Sequence, residues 1–183
     1  MKSMRDVALA VLIGLLPASA VSAAPAVSCA QPGVQVGFSP EGSARSLVLD
    51  TLGSAKHSIR MLAYSFQAPD IMEALVAAKR RGVDVRVVVD KQRNEGKTSR
   101  AAMDFVTRHG VEVRTNDRFH IHHDKTIVVD GATVETGSFN FAESAETGNS
   151  ENVVVICNMP DVARQYLEHW QSRWDLGEAH TAR

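Results

Sequence analysis

Aromatic residues are scarce in this chain, 5% of 183, and cysteines number two. Phe139, Phe141, Trp170 and Trp174 stand where packing accounts for them, so no run of rings offers successive nucleobases a stacking platform. Excess charge is lacking too. The formal net charge is −1, which excludes the basic balance of a dedicated nucleic-acid binder. The apolar run from Val7 to Leu16 falls short of the roughly 20 residues that span a bilayer, so stable membrane insertion is not expected. No internal repeat, low-complexity tract or linker divides the sequence.

That short apolar run has another meaning. Lys2 and Arg5 precede it and Val21-Ser22-Ala23 follows, which is the layout of a secretory signal peptide over residues 1–23. A periplasmic or secreted protein is expected. A lipoprotein acylated at Cys29 fits less well, because Cys29 lies well past the apolar core and behind Pro25. Residues 24–33 read as a flexible N-terminal segment, 34–176 as one domain, and 177–183 as a C-terminal tail. In an oxidising compartment Cys29 and Cys157 either pair or remain one exposed and one packed thiol; the sequence leaves both open.

Hydrophobic periodicity then alternates between strand and helix. Strands are expected at Val34 to Phe38, Ser58 to Ser65, Val83 to Val89 and from Val111. Helices are expected at Pro40 to Ala55, Pro69 to Arg81 with Gly82 as its stop, and Ser99 to His109 closed by Gly110. A strand at Asn152 to Ile156 and a helix from Pro160 to Trp174 complete the chain. The fold class is α/β, with a mixed, mostly parallel sheet sandwiched between helices.

The stretch from His120 to Asn140 carries the chemistry. Lys125 to Val129 is short, apolar and β-branched, as in a strand buried on both faces. Asp130-Gly131 is a strong hairpin signal, and a two-residue turn there sets His123 opposite Ser138 and Lys125 opposite Thr136. An imidazole, an ammonium, a hydroxyl and the Asn140 carboxamide then converge. Such a set suits a phosphate: Lys125 supplies charge, Ser138 and Asn140 neutral donors, and His123 a nucleophile or acid/base.

His123-x-Lys125-x-x-x-x-Asp130, followed by Gly137-Ser138-x-Asn140, resembles the signature of the phospholipase D superfamily. Most of the chain from Val34 to Trp174 is similar to its small bacterial endonucleases, including Gly37-Phe38-Ser39-Pro40 and Asn149-Ser150-Glu151-Asn152. The resemblance implies a homodimer, because such enzymes use two histidines and this chain has one motif. It also implies a covalent phosphohistidine on His123, protonation of the leaving alkoxide by the second His123, and no metal or other cofactor. Glu151 matches an acid that orients the nucleophilic histidine. Asp130 belongs to the motif, but a turn aspartate at the far end of the strand is better suited to structure than to chemistry.

A competing reading uses the same residues. His120-x-His122-x-Asp124 approaches a metallohydrolase ligand run, with Lys125 standing where a final histidine is needed. For the substrate, the basic loop from Lys91 to Arg100 follows a strand, and its Lys91, Arg93 and Lys97 are candidate contacts for a phosphate backbone. A sequence-nonspecific nuclease acting on DNA or RNA is expected, with a phospholipase as the alternative from the same chemistry.

Overall fold

The structure is a computed structural model and describes residues 29–182; the expected signal peptide and the start of the 24–33 segment lie outside the described residues. Among the described residues eight strands form one sheet: β1 (Gly33–Ser39), β2 (Ser58–Ala63), β3 (Asp84–Asp90), β4 (Glu112–Asn116), β5 (Lys125–Val129), β6 (Thr133–Gly137), β7 (Glu151–Cys157) and β8 (Glu178–Ala179). Their order is β1-β7-β6-β5-β2-β3-β4-β8. The helices that intervene among these residues are α1 (Ser43–Ser54), α2 (Pro69–Arg80), α3 (Lys97–Arg108), α4 (Glu143–Thr147) and α5 (Pro160–Asp175).

Alternation along each strand sends its residues to two different layers. On one face Val48 and Leu52 of α1, Ile71 and Leu75 of α2, and Met103 and Val106 of α3 bury against Ile59, Met61, Val85, Val87, Ile127, Val153 and Val155. On the other face α5 lies alone. Its Trp170 and Trp174 cover Leu62 and Val88, and its Ala163 meets Val128 and Val134. The Trp170 indole N–H donates to the Met61 carbonyl at 3.2 Å, which satisfies its one polar atom. α5 is too narrow to cover the whole sheet, so Val34, Val36 and Phe38 of edge strand β1 stay 52–60% exposed.

The sheet is mixed, as expected, but it is not mostly parallel. Among the described residues only β2–β3 and β3–β4 run parallel; the other five pairings are antiparallel. The β2-α2-β3-α3-β4 stretch does cross over as the alternation suggested. However, α1 leads away from β1 at the opposite edge, β5 and β6 are joined by a short turn, β6 and β7 pair antiparallel with α4 between them, and α5 carries the chain from β7 across the sheet to β8. α1 also starts later than Pro40. Gly42 is left-handed at φ 90°, and the Ser43 hydroxyl accepts the Phe38 N–H at 2.8 Å. The short α4 and β8 carry too few residues for a periodic signal.

The β5–β6 turn differs by one residue from the two-residue expectation. Thr126 faces Thr136 and Val129 faces Thr133, so the loop is Asp130-Gly131-Ala132. Asp130 (φ 52°) and Gly131 (φ 64°) are both left-handed, and the Ala132 N–H closes the turn on the Val129 carbonyl at 3.0 Å. One residue of slip reverses which face each side chain takes. Lys125 therefore is not opposite Thr136, and His123 is not opposite Ser138.

Both ends of the described segment are tied to the sheet. A Cys29–Cys157 disulfide, with Cα atoms 4.7 Å apart, fastens the N-terminal segment to β7. Within residues 177–183, β8 pairs with β4 and the His180 N–H donates to the Val113 carbonyl at 2.9 Å.

Glu135, in the middle of β6, is completely buried, and neither carboxylate oxygen has a hydrogen-bond partner. Burial alone pushes its carboxyl from 4.5 up to about 8. Because the folded value lies above the unfolded one, its stabilising contribution is fully present below 4.5 and is lost as pH rises through about 8. Chemical denaturation across that window should show stability falling with pH, and Glu135→Gln should flatten the slope. An unchanged slope would assign the dependence to another group.

Candidate active site

The C-terminal ends of β2, β3 and β6 and the N-terminal ends of β5 and β7 lie at one edge of the sheet. Ladder hydrogen bonds run out there, which frees loops to carry side chains. Lys125 opens β5 opposite Ala63 of β2. His123 lies two residues before it, outside the strand and exposed. The Lys125 ammonium is buried and donates to the His123 carbonyl at 2.8 Å. Burial lowers its pKa below the usual lysine value, against the opposing pull of the Asp124 and Glu151 carboxylates. His123 and Lys125 line one cleft of about 430 Å³, together with Thr136 and Gly137 of β6 and residues of α5.

The Gly137-Ser138-Phe139-Asn140 loop is anchored by its own sequence. A Cβ on Gly137 would sit 2.1 Å from the Asn152 carbonyl, so only glycine permits this approach. Phe139 and Phe141 are fully buried, and the Phe141 carbonyl accepts N–H bonds from Gln67 and Ala68 at 2.9 and 3.0 Å. Ser138 donates to Glu151 at 2.5 Å, and the Asn149 amide donates to the other Glu151 oxygen at 2.8 Å. Glu151 is thus bonded to Ser138 and Asn149 and not to His123. The buried Asn140 carboxamide oxygen has no partner.

Asp130 takes no place in the cleft. Its carboxylate accepts the backbone N–H groups of Lys56 at 2.9 Å and of His57 and Ser58 at 2.8 Å, at the opposite end of β5. Desolvation pushes its pKa up, but those bonds outweigh it and hold the carboxyl below its usual value. It is a structural member of the motif.

The metallohydrolase set does not assemble. His120 is exposed, while His122 is 2% exposed and its backbone N–H donates to Asp90 at 2.8 Å. Asp124 lies between His122, 3.4 Å away, and His169 of α5, 3.2 Å away. Among the described residues no three His, Cys, Asp or Glu side chains gather as metal ligands.

Of the basic stretch, Lys91 is committed to structure. Lys91 donates to Asp117 at 2.8 Å and Glu178 at 3.0 Å, and these bonds raise its pKa to about 12. Lys97 is exposed at the first position of α3 and not within a loop. Arg93 is exposed and lies 5.9 Å from the Tyr64 ring centre, nearest the site of the three.

Sequence reasoning missed Tyr64, Asn94 and His169. The Tyr64 ring lies 4.6 Å from the His123 imidazole and 5.1 Å from the Lys125 ammonium. Buried Asn94 holds it there by donating to the Tyr64 and Asp90 carbonyls, both at 2.7 Å, and accepting the Phe66 N–H. Tyr64 closes the strand pattern that begins at Ser58, a signal that marks position but not contact.

A buried ammonium, a neighbouring imidazole and a glycine-tight hydroxyl loop at one strand edge define a phosphodiesterase site of the phospholipase D type. The family described as "Cardiolipin synthase, PLD-like domain" matches residues 48–174, and the chain belongs to the phospholipase D superfamily. It is similar to Nuc from Salmonella typhimurium, a phospholipase D family member. That crystal structure is 61% identical with TM-score 0.81, covering 82% of this chain and 99% of that one. A phospholipase D of Rickettsia bellii is 35% identical over 136 residues, 74% of this chain and 66% of the relative. A mitochondrial cardiolipin hydrolase of Danio rerio is 30% identical over 155 residues, 82% of this chain and 63% of the relative.

Tyr64→Ala should lower kcat by roughly 10- to 100-fold by loosening His123, with KM little changed. Tyr64→Phe, which keeps the ring, should retain most of the rate. Steady-state hydrolysis of bis(4-nitrophenyl) phosphate checks both, and a Phe variant as slow as the Ala variant would move the role to the hydroxyl.

Proposed function

We propose that this protein is an exported, sequence-nonspecific endonuclease that hydrolyses DNA through a phosphohistidine. The observation that carries the reading is the pairing of exposed His123 with buried Lys125 in one cleft beside the Ser138–Glu151 loop. Its likeness to Nuc extends over nearly the whole of that chain, whereas the relatives named for phospholipids are matched over about two thirds of their length.

In the first step a His123 nitrogen attacks phosphorus and the bond to the leaving oxygen breaks. His123 of a second copy gives that oxygen its proton. In the second step this histidine takes a proton from water, and the hydroxide displaces the phosphohistidine to release a phosphate monoester. Lys125 and Asn140 offer donors to the non-bridging oxygens as charge builds, while Ser138, whose hydroxyl donates to Glu151, holds the Asn140 loop. Glu151 serves through Ser138 and through its field on Lys125.

The second copy is supported by the uncovered stripe of Val34, Val36 and Phe38. It runs along β1 to Ser39, which pairs with Glu151, so an apolar contact there adjoins the site. Val36→Asp should give a monomer in sedimentation equilibrium with the activity lost; a fully active monomer would refute the shared site.

The mature protein should cleave plasmid DNA equally with and without a strong chelator, and His123→Ala should slow cleavage at least ~100-fold. Activity abolished by chelation and restored by metal would overturn the phosphohistidine reading. Hydrolysis of anionic phospholipid without DNA cleavage would shift the substrate to lipid.

A further inference from the structure

The cleft that holds His123 and Lys125 has a second wall that neither step of the reaction uses. At about 430 Å³ it falls within the size of small-ligand sites, ~300–1,000 Å³. Asp124, Thr126 and Thr136 line it from the β5–β6 side, and Gln165, Tyr166 and His169 line it from one turn of α5. His169 is aimed by a contact with Asp124. Its Nε2 lies 3.2 Å from one Asp124 oxygen, and the other Asp124 oxygen lies 3.4 Å from Nε2 of buried His122. Through its contact with His169, the Asp124 carboxylate couples α5 to the His123–Lys125 segment.

The chemistry of this wall restricts what fits. A second phosphate would meet the Asp124 carboxylate and be repelled by it. Acyl chains would strip water from an amide, a phenol and an imidazole without replacing its hydrogen bonds. A neutral group rich in N–H, O–H and carbonyl functions matches on every side. We infer that the α5 wall is a nucleoside subsite, in which Gln165, Tyr166 and His169 hold the sugar and base on one side of the scissile phosphate. Asp124 is the positioning residue for His169. This inference rests on the nuclease reading and names the part of the substrate that the helix grips.

Binding tests it without turnover. Mature protein carrying His123→Ala is titrated with thymidylyl-thymidine, and adding His169→Ala should weaken the affinity at least tenfold. His169→Gln, which keeps a donor toward Asp124, should recover most of it. Unchanged affinity in the Ala variant overturns the subsite. Equal weakening toward phosphatidylglycerol vesicles would also overturn it, because a nucleoside wall has no grip on lipid. In the catalytically intact protein, His169→Ala should raise KM for thymidine 5′-(4-nitrophenyl phosphate) at least tenfold more than for bis(4-nitrophenyl) phosphate. An equal rise on the two esters refutes a nucleoside contact. If the wild type hydrolyses neither ester, the nuclease reading fails, while the titration still decides the subsite. Gln165→Ala with Tyr166→Phe supplies the same comparison should His169→Ala not fold.

Discussion

Three consecutive backbone amides, those of Lys56, His57 and Ser58, close on the carboxylate of Asp130, and the placement of the site depends on that grip. Asp130 follows the last residue of β5 and Ser58 begins β2, so the contact locks the antiparallel register of the two strands at one end. Five residues away, the same register sets Lys125 against Ala63 and next to Tyr64. A carboxylate that accepts several N–H bonds is strongly held in its charged form, which makes the lock sturdy at neutral pH. A motif residue remote from the cleft thereby positions the residues within it.

At the other end of these strands the constraints are steric and polar. Gly137 allows β6 to approach the Asn152 carbonyl, and the Ser138–Glu151–Asn149 chain then fixes the loop that Phe139 and Phe141 anchor from below. Asn94 binds the ends of β2 and β3 together through two carbonyls, leaving the Tyr64 ring against His123. The chemistry thus stands on a rigid rim, as positioning within fractions of an ångström requires.

Charge is deployed mainly for structure. Arg60 pairs with Asp84, Arg81 donates to carbonyls at the end of α1, Arg114 to the Trp174 carbonyl, and Lys91 to two carboxylates. Part of the basic run is thus spent on structure, while Arg93, Lys97 and Arg100 stay exposed.

The alternation of valine strands with amphipathic helices, the doubly buried β5 and the family motif were all legible in the sequence, because each rests on short-range periodicity or on identity at fixed spacing. The β5–β6 register was not. A one-residue difference in turn length depends on the Asp130 carboxylate finding amides more than 70 residues away in the chain. The predominance of antiparallel pairing escaped for a similar reason, since a strand's neighbour is chosen by the whole sheet. His169 was invisible as a site residue, because its meeting with Asp124 requires α5 to cross the sheet and seat Trp170 and Trp174 on Leu62 and Val88. Sequence by itself determined most of the elements, the family and the candidate His123–Lys125 pair, all written in local pattern. Tertiary structure alone decided which face each side chain took and which distant groups met, because those depend on long-range packing and hydrogen bonds that no spacing encodes.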